Sequence, residues 1–364
     1  MTPGFKYEGE VYSVMSERSN LSTGAAVDDS ETVRVGLNGF GRIGRNVFRA
    51  VREHPRVELV GINDVMDFED MAYLAKYDTV MGRADDVSRE GDSLVAGDTS
   101  VPLYNVQDPT NLPWDDLDVD VALECTGIFR TKEDASAHLE AGADKVVISA
   151  PPKGEEPVKQ IVYGVNHDEY GGEDVVSNAS CTTNSVSPVA QVLDDEFGIE
   201  SGLLTTVHAY TGSQNLVDGP MAKTRRGRAA AENIVPTSTG AAAATTEILP
   251  QLEGKLDGMA IRVPVPNGSV TELVVSLDAT PSTEEINDAF RDAADSGPLA
   301  GVLGYTDDEV VSTDILGLPF SSTVDLQSTN QVNEGGLYKI LTWYDNEYGF
   351  SNRMLDVAHY VIHG

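Results

Sequence analysis

Cys181 stands in the run SNASCTTN, residues 177–184, among small polar residues and just ahead of the apolar stretch SVSPVAQVLDDEFG. A thiol at the first turn of a helix faces unsatisfied amide donors, which favour the thiolate, so this cysteine is a candidate nucleophile. His208 follows on GLLTTVHAY, where strand alternation puts it on the face of Leu204 and Thr206. A lone strand histidine is usually structural, but paired with Cys181 it becomes a candidate general base near neutral pH. Cys125, inside VALECTG, reads as core packing instead. The two cysteines could bridge in an oxidising compartment; without a signal peptide they are expected as free thiols. The remaining histidines (54, 138, 167, 359 and 363) sit in polar or tail contexts and form no close cluster, so no metal site is expected.

Gly39, Gly41 and Gly44 form GxGxxG directly after the apolar run TVRVGL and at the start of a helical pattern. There the first glycine makes the tight turn, the second admits a pyrophosphate to the backbone, and the third lets helix and strand approach. Asp64 closes the next strand, VELVGIND, where a carboxylate accepts from ribose hydroxyls and repels a 2′-phosphate, favouring NAD over NADP. The densest basic cluster is Arg225, Arg226 and Arg228, followed by Thr239 and Gly240 opening a helix. Arg262 stands alone in the strand AIRVPVP, where a guanidinium without an anionic partner is costly to bury. These features suit phosphate recognition by arginine forks and a helix start. For Arg225 and Arg228 the alternative is salt bridging to an acidic surface.

Positioning these groups requires two kinds of element. Through about residue 180, short strands alternate with helical patterns such as RNVFRAVREH, FEDMAYLAKY and KEDASAHLEAGA, which predicts a parallel, doubly wound sheet. The second half reads as long strands (GLLTTVHAY, GMAIRVPVP, SVTELVVSLDA, LYKILTWY) with one amphipathic helix, TEEINDAFRDAAD, an α+β unit with a mixed or antiparallel sheet. The expected division is a flexible N-terminal extension over 1–30, a Rossmann dinucleotide-binding domain over 31–180 completed by a C-terminal helix over 346–364, and a catalytic domain over 181–345. Met15 offers a second possible start. In that last helix Met354, Val357, Ala358 and Val361 share a face that can pack back onto another domain.

The chain of 364 residues carries 25 basic against 59 acidic residues, a net charge of −34. Such a field repels nucleic acid and anionic lipid, excluding both as partners, and suggests a salty cytosol in which counterions screen self-repulsion. No run approaches the roughly 18 apolar residues of a membrane span, and no signal-peptide pattern opens the chain, so a cytoplasmic location is expected.

The motifs GLNGFGRIGRNVFRA, SNASCTTN, TTVHAYTG, RAAAENIVPTSTGAA, GMAIRVPVPN and WYDNEYGFSNR, in that order, resemble the phosphorylating glyceraldehyde-3-phosphate dehydrogenases over residues 32–364. The resemblance implies that Cys181 attacks the aldehyde, that His208 takes the hydroxyl proton as hydride passes to NAD, and that inorganic phosphate then cleaves a thioester to give 1,3-bisphosphoglycerate. It implies further that Arg262 and Thr211 hold the substrate's C3 phosphate, and that Ser180, Thr182, Thr239, Gly240 and Arg226 hold the attacking phosphate. Asn346 would fix the nicotinamide carboxamide, with Phe40, Arg42 and Ile43 lining the pyrophosphate turn. The family is a homotetramer in which a loop, here roughly residues 209–233, reaches a neighbour's cofactor. It serves glycolysis or gluconeogenesis. The chain departs from many members at Ser213 (Asp), Ala222 (Lys, with Lys223 adjacent) and Phe350 (Tyr), and Gly219 before Pro220 bears on NAD against NADP. The alternatives are erythrose-4-phosphate dehydrogenase on the same scaffold, aspartate-semialdehyde dehydrogenase, which the GxGxxG and Asp64 pairing opposes, and a non-catalytic dinucleotide-binding regulator, which the intact Cys181, His208 and Arg262 oppose.

Overall fold

The computed structural model describes residues 32–333 and 336–364. The expected N-terminal extension and Met15 lie outside the described residues.

The strand Val33–Asn38 forms where alternate apolar side chains can be buried on both faces, and it becomes the centre of a nine-stranded sheet. On one side it pairs in parallel with Val57–Asn63, and that strand with Thr99–Tyr104. On the other it pairs with Val121–Glu124, followed outward by Lys145–Ile148, Val175–Ser177 and Lys159–Gln160, all parallel. The chain thus reverses its direction of travel across the sheet between Val33–Asn38 and Val121–Glu124. The crevice above their carboxyl ends is where open α/β sheets bind ligands.

Two features differ from the expectation. The sheet ends in two antiparallel strands, Ser93–Ala96 and Val87–Glu90. Their connection is a tight turn with Gly91 at φ 59°, too short for the crossover that parallel pairing needs. The helix expected over KEDASAHLEAGA divides into Lys132–Ala135 and Ala137–Glu140 at Ser136, whose hydroxyl donates back to the Lys132 carbonyl.

The second sheet has eight strands, mixed as expected. Its centre is Ile199–Ala209, parallel to Leu256–Val263 and antiparallel to Ser269–Leu277, which in turn pairs with Leu337–Tyr344. Alternation along these strands sends one side chain in two against the helices Cys181–Phe197, Ala241–Ile248 and Thr283–Asp295. The last of these begins in a capping box, Ser282 with Glu285. The C-terminal helix Tyr348–His363 leaves the second sheet and buries Met354, Val357, Ala358 and Val361 in the core of the first, beside Val47 and Phe48. That return carries the segment 345–347 to the glycine turn.

Candidate functional site

The glycine turn has the geometry its sequence implies. Gly39 sits at φ 97°, where an added Cβ would meet the Thr126 backbone nitrogen at 2.5 Å, and one on Gly44 would meet the Gly39 carbonyl oxygen at 2.0 Å. At Gly41 an added Cβ meets nothing within 4 Å, so the backbone there faces open space at the start of helix Arg42–Val51, where a pyrophosphate fits. Asp64 is partly exposed, but its carboxylate already accepts the Phe40 N–H at 2.6 Å and the Met66 N–H at 3.0 Å. It therefore shapes the turn. Ile43 packs against the first core. Arg42 is directed away from an open anion site: its guanidinium is shared by Glu347 and Asp78. The Asn346 carbonyl oxygen accepts from the Ser269 hydroxyl at 2.7 Å, which fixes the amide's orientation and leaves its NH2 as the donor for a carboxamide.

Beneath the turn lies a buried network that sequence reading missed. Glu124 accepts from Asn38 Nδ2 at 2.6 Å, from the Thr126 backbone at 2.7 Å and from the Thr126 hydroxyl. Trp114 donates to His138 Nδ1 at 3.1 Å; since an indole only donates, the proton of a neutral His138 ring sits on Nε2, 3.1 Å from Glu124. Asn63 completes it by donating to Asn38. The one signal was a Glu inside an otherwise apolar strand, VALEC.

Cys181 opens the helix Cys181–Phe197 because Ser180 caps it, the Ser180 hydroxyl accepting the Thr183 N–H at 3.0 Å, a contact worth about 1 kcal/mol. Ala179, two residues before Cys181, is held at φ 55°, a conformation costing an alanine about 1–2 kcal/mol. Asn184 secures that bend by donating to the carbonyls of Asn178 and Ser180. Cys181 is half-buried, with Sγ 3.4 Å from His208 Nε2. Both cysteines are free, and Cys125 is buried.

His208 and Arg262 are direct register partners on adjacent parallel strands. Arg262 Nη1 lies 2.8 Å from His208 Nδ1 and donates to the Ala209 carbonyl at 2.7 Å, while Nδ1 is itself 2.7 Å from that carbonyl. These contacts exclude one another. With Arg262 donating to it, Nδ1 is bare and the ring proton faces the sulfur. With Nδ1–H donating to Ala209 instead, a bare Nε2 faces the thiol, the form a general base needs. Arg262 Nε is buried without a partner, as expected of a guanidinium built for an oxyanion.

The electrostatics correct the expectation of a lowered thiol pKa. Burial pushes the Cys181 thiol above its ordinary value, and Arg262 and the Thr182 hydrogen bonds pull it only part of the way back. Burial, then Arg262, holds His208 down to about 3. Desolvation outweighs the helix start, so burial pushes the thiol up and the imidazole down.

A cavity of about 460 Å³ joins Ser180, Cys181, Thr182, His208, Arg226, Thr239, Gly240 and Arg262. Thr182 is turned inward, its hydroxyl 3.1 Å from Tyr344. Thr239 Oγ1 accepts the Ala241 N–H at the start of helix Ala241–Ile248. Thr211 does not line this cavity; it joins Arg226 through Ser213, which accepts from Arg226 Nη1 at 3.2 Å. Arg228 pairs with Asp218 at 3.0 Å, the salt-bridge alternative, and Arg225 is exposed.

A dinucleotide-binding Rossmann sheet set beside a thiol–imidazole pair defines a nicotinamide-dependent oxidoreductase. Residues 33–132 match the family model of the glyceraldehyde 3-phosphate dehydrogenase NAD binding domain, and residues 180–346 that of its C-terminal domain. The chain is 70% identical over 334 residues to glyceraldehyde-3-phosphate dehydrogenase of Haloarcula vallismortis, covering 91% of this chain and 99% of that one. It is 52% identical to the enzyme of Streptomyces coelicolor over 91% and 98%, and 50% identical to that of Geobacillus stearothermophilus over 90% and 98%. The chain belongs to the glyceraldehyde-3-phosphate dehydrogenase family.

Proposed function

We propose that this protein oxidises D-glyceraldehyde 3-phosphate and phosphorylates it to 1,3-bisphosphoglycerate, with NAD as hydride acceptor. The reading is carried by the 3.4 Å approach of Cys181 Sγ to His208 Nε2 beside Arg262, in one cavity, with Cys181 packed against the core of the first sheet. Sγ adds to the aldehyde carbon, forming a C–S bond as the C=O π bond opens, and the thiol proton passes by way of His208 to the carbonyl oxygen to give the hemithioacetal hydroxyl. His208 Nε2 takes the hemithioacetal hydroxyl proton as the carbonyl re-forms to a thioester. Bound NAD supplies the two-electron acceptor. Phosphate oxygen then attacks the thioester carbon, the C–S bond breaks, and the acyl phosphate leaves with the thiol restored. Arg262 and Thr211 are assigned to the C3 phosphate. Ser180, Thr182, Thr239, Gly240 and Arg226 are assigned to the attacking phosphate, where the start of helix Ala241–Ile248 adds partial positive charge. Gly39, Phe40, Gly41, Ile43, Gly44, Asp64 and Asn346 are assigned to NAD, while Arg42 lines the same turn with its guanidinium held by Glu347 and Asp78.

The test is a burst of NADH at one equivalent per subunit on mixing with glyceraldehyde 3-phosphate, with steady turnover only when phosphate is added. Equal turnover without phosphate, or preference for erythrose 4-phosphate, refutes the assignment.

The same proposal divides the chain into 31–180 with the C-terminal helix, and 181–345; one core cluster gathers that helix with the first sheet, and another gathers the second sheet and its helices together with Val162 and Ala179. It also places the protein in the cytoplasm; no helix among the described residues is long and apolar enough to cross a membrane. It makes the protein a homotetramer. Supporting this, the outward face of the second sheet carries Leu203, Met259, Ile261, Val274 and Trp343, with Leu203 63% and Met259 40% exposed, the kind of apolar surface that subunit contacts cover. With −34 per chain, assembly should need salt to shorten the Debye length from about 10 Å at 0.1 M to about 3 Å at 1 M. Light scattering through a KCl titration reads it; a stable tetramer in 50 mM salt removes the salt requirement.

A further inference from the structure

The position of Arg42 is at odds with a pyrophosphate ligand. It is the first residue of helix Arg42–Val51, at the mouth of the glycine turn, yet its guanidinium is committed elsewhere. Nε donates to Glu347 Oε1 at 2.9 Å, Nη2 contacts Glu347 Oε2 and Nη1 contacts Asp78. The Asp78 side chain is 1% exposed and that of Glu347 11%. Asp78 is itself fixed by the Val80 and Met81 amides. Nε, Nη1 and Nη2 are thus all engaged by carboxylates, so the guanidinium is turned to Glu347 and Asp78 rather than to a bound diphosphate. Glu347 is adjacent to Asn346, and that segment is anchored from the other side by Asp345, which accepts from Asn267, Gly317, Glu347 and Tyr348.

We infer that Arg42, Glu347 and Asp78 form a latch that sets the spacing between the pyrophosphate turn and the nicotinamide-holding Asn346, and that Arg42 is a positioning residue rather than a phosphate ligand. The inference rests on the dinucleotide reading above. Its physical content is preorganisation: two half-sites held at the right separation bind a two-ended ligand more tightly than either half alone, and a loose link forfeits that advantage. The side-on fork requires arginine, because a lysine makes a point contact.

The experiment measures binding, without turnover, of NAD and of ADP-ribose, which lacks the nicotinamide. Wild type, Arg42→Lys, Glu347→Gln and the double variant are compared at high salt, with circular dichroism melts to show that each is folded. The expected result is an unchanged Kd for ADP-ribose and a roughly tenfold loss for NAD in each single variant, the size of one charge-assisted contact. The double variant should lose no more than either single one, since both break the same link. Equal weakening of both ligands would make Arg42 a direct phosphate contact, and no change in either would make the triad purely structural; both outcomes overturn the latch. Failure of wild type to bind NAD at all would instead overturn the dinucleotide reading.

Discussion

Two polar networks lie close to the reaction centre, and they are built in opposite ways. Under the glycine turn, Asn38, Asn63, Glu124, His138 and Trp114 satisfy one another completely, and none has a buried polar atom without a partner. At the thiol, Arg262 Nε is buried and unpartnered, and His208 Nδ1 has two competing neighbours. The closed network is a frame whose polar groups are matched before any ligand arrives. The open one leaves Arg262 Nε without a protein partner, and under the proposed function an oxyanion would take that donor, which is where differential stabilisation of a transition state would come from. Changes in the frame should therefore be felt in stability and cofactor affinity, and changes in the open network in rate.

The sharpest break is Cys181→Ala. Turnover should vanish while the Kd for NAD stays within about twofold, because the residues assigned to the dinucleotide lie on the first sheet and at Asn346 and do not include Cys181. Residual activity above a few per cent would remove Cys181 from the nucleophile role.

Next is His208→Asn, expected to lower the rate roughly 10² to 10⁴-fold, the usual size of a general base contribution, and to slow iodoacetamide labelling of Cys181. It also carries a pH signature. With the folded ring held down to about 3, only the unfolded state takes up its proton as pH falls below the ordinary value of 6.5. Wild type therefore loses stability on this account between those limits, and the variant does not. The melting-temperature difference between them should shift in favour of the variant from pH 7 to pH 4. A constant difference would mean that His208 is not buried neutral.

Glu124→Gln tests the frame. It turns an amide N–H2 toward groups that themselves donate, at an expected cost of about 3 kcal/mol in stability measured by denaturant unfolding at high salt. NAD should bind more weakly while Cys181 labelling stays within about twofold. A selective fall in labelling rate would erase the distinction between the two networks.

The smallest effect is expected at Asp64→Ala. It removes both the ribose acceptor and the Phe40 N–H acceptor, and it relieves repulsion of a 2′-phosphate. The ratio of NAD to NADP affinity should fall about tenfold in fluorescence titrations, the value of roughly 1.4 kcal/mol. Wild-type preference for NADP would make the cofactor reading of Asp64 wrong.

Much of this was legible in the chain itself, because its signals are local. GxGxxG after a strand encodes a turn that only glycine backbone can make. SNASCTTN encodes a capped helix with a thiol on its first turn, and strand alternation assigned the faces around His208. What the sequence could not determine is what depends on register and on contacts between distant segments. Arg262 faces His208 because two strands 54 residues apart align in parallel, which no local pattern specifies. Arg42 meets Glu347 across 305 residues only because the C-terminal helix folds back onto the first sheet. The direction of the thiol's shift likewise depends on the surrounding protein: the helix start that SNASCTTN encodes favours thiolate, but burial in the assembled tertiary structure pushes the thiol the other way, and burial is the larger effect.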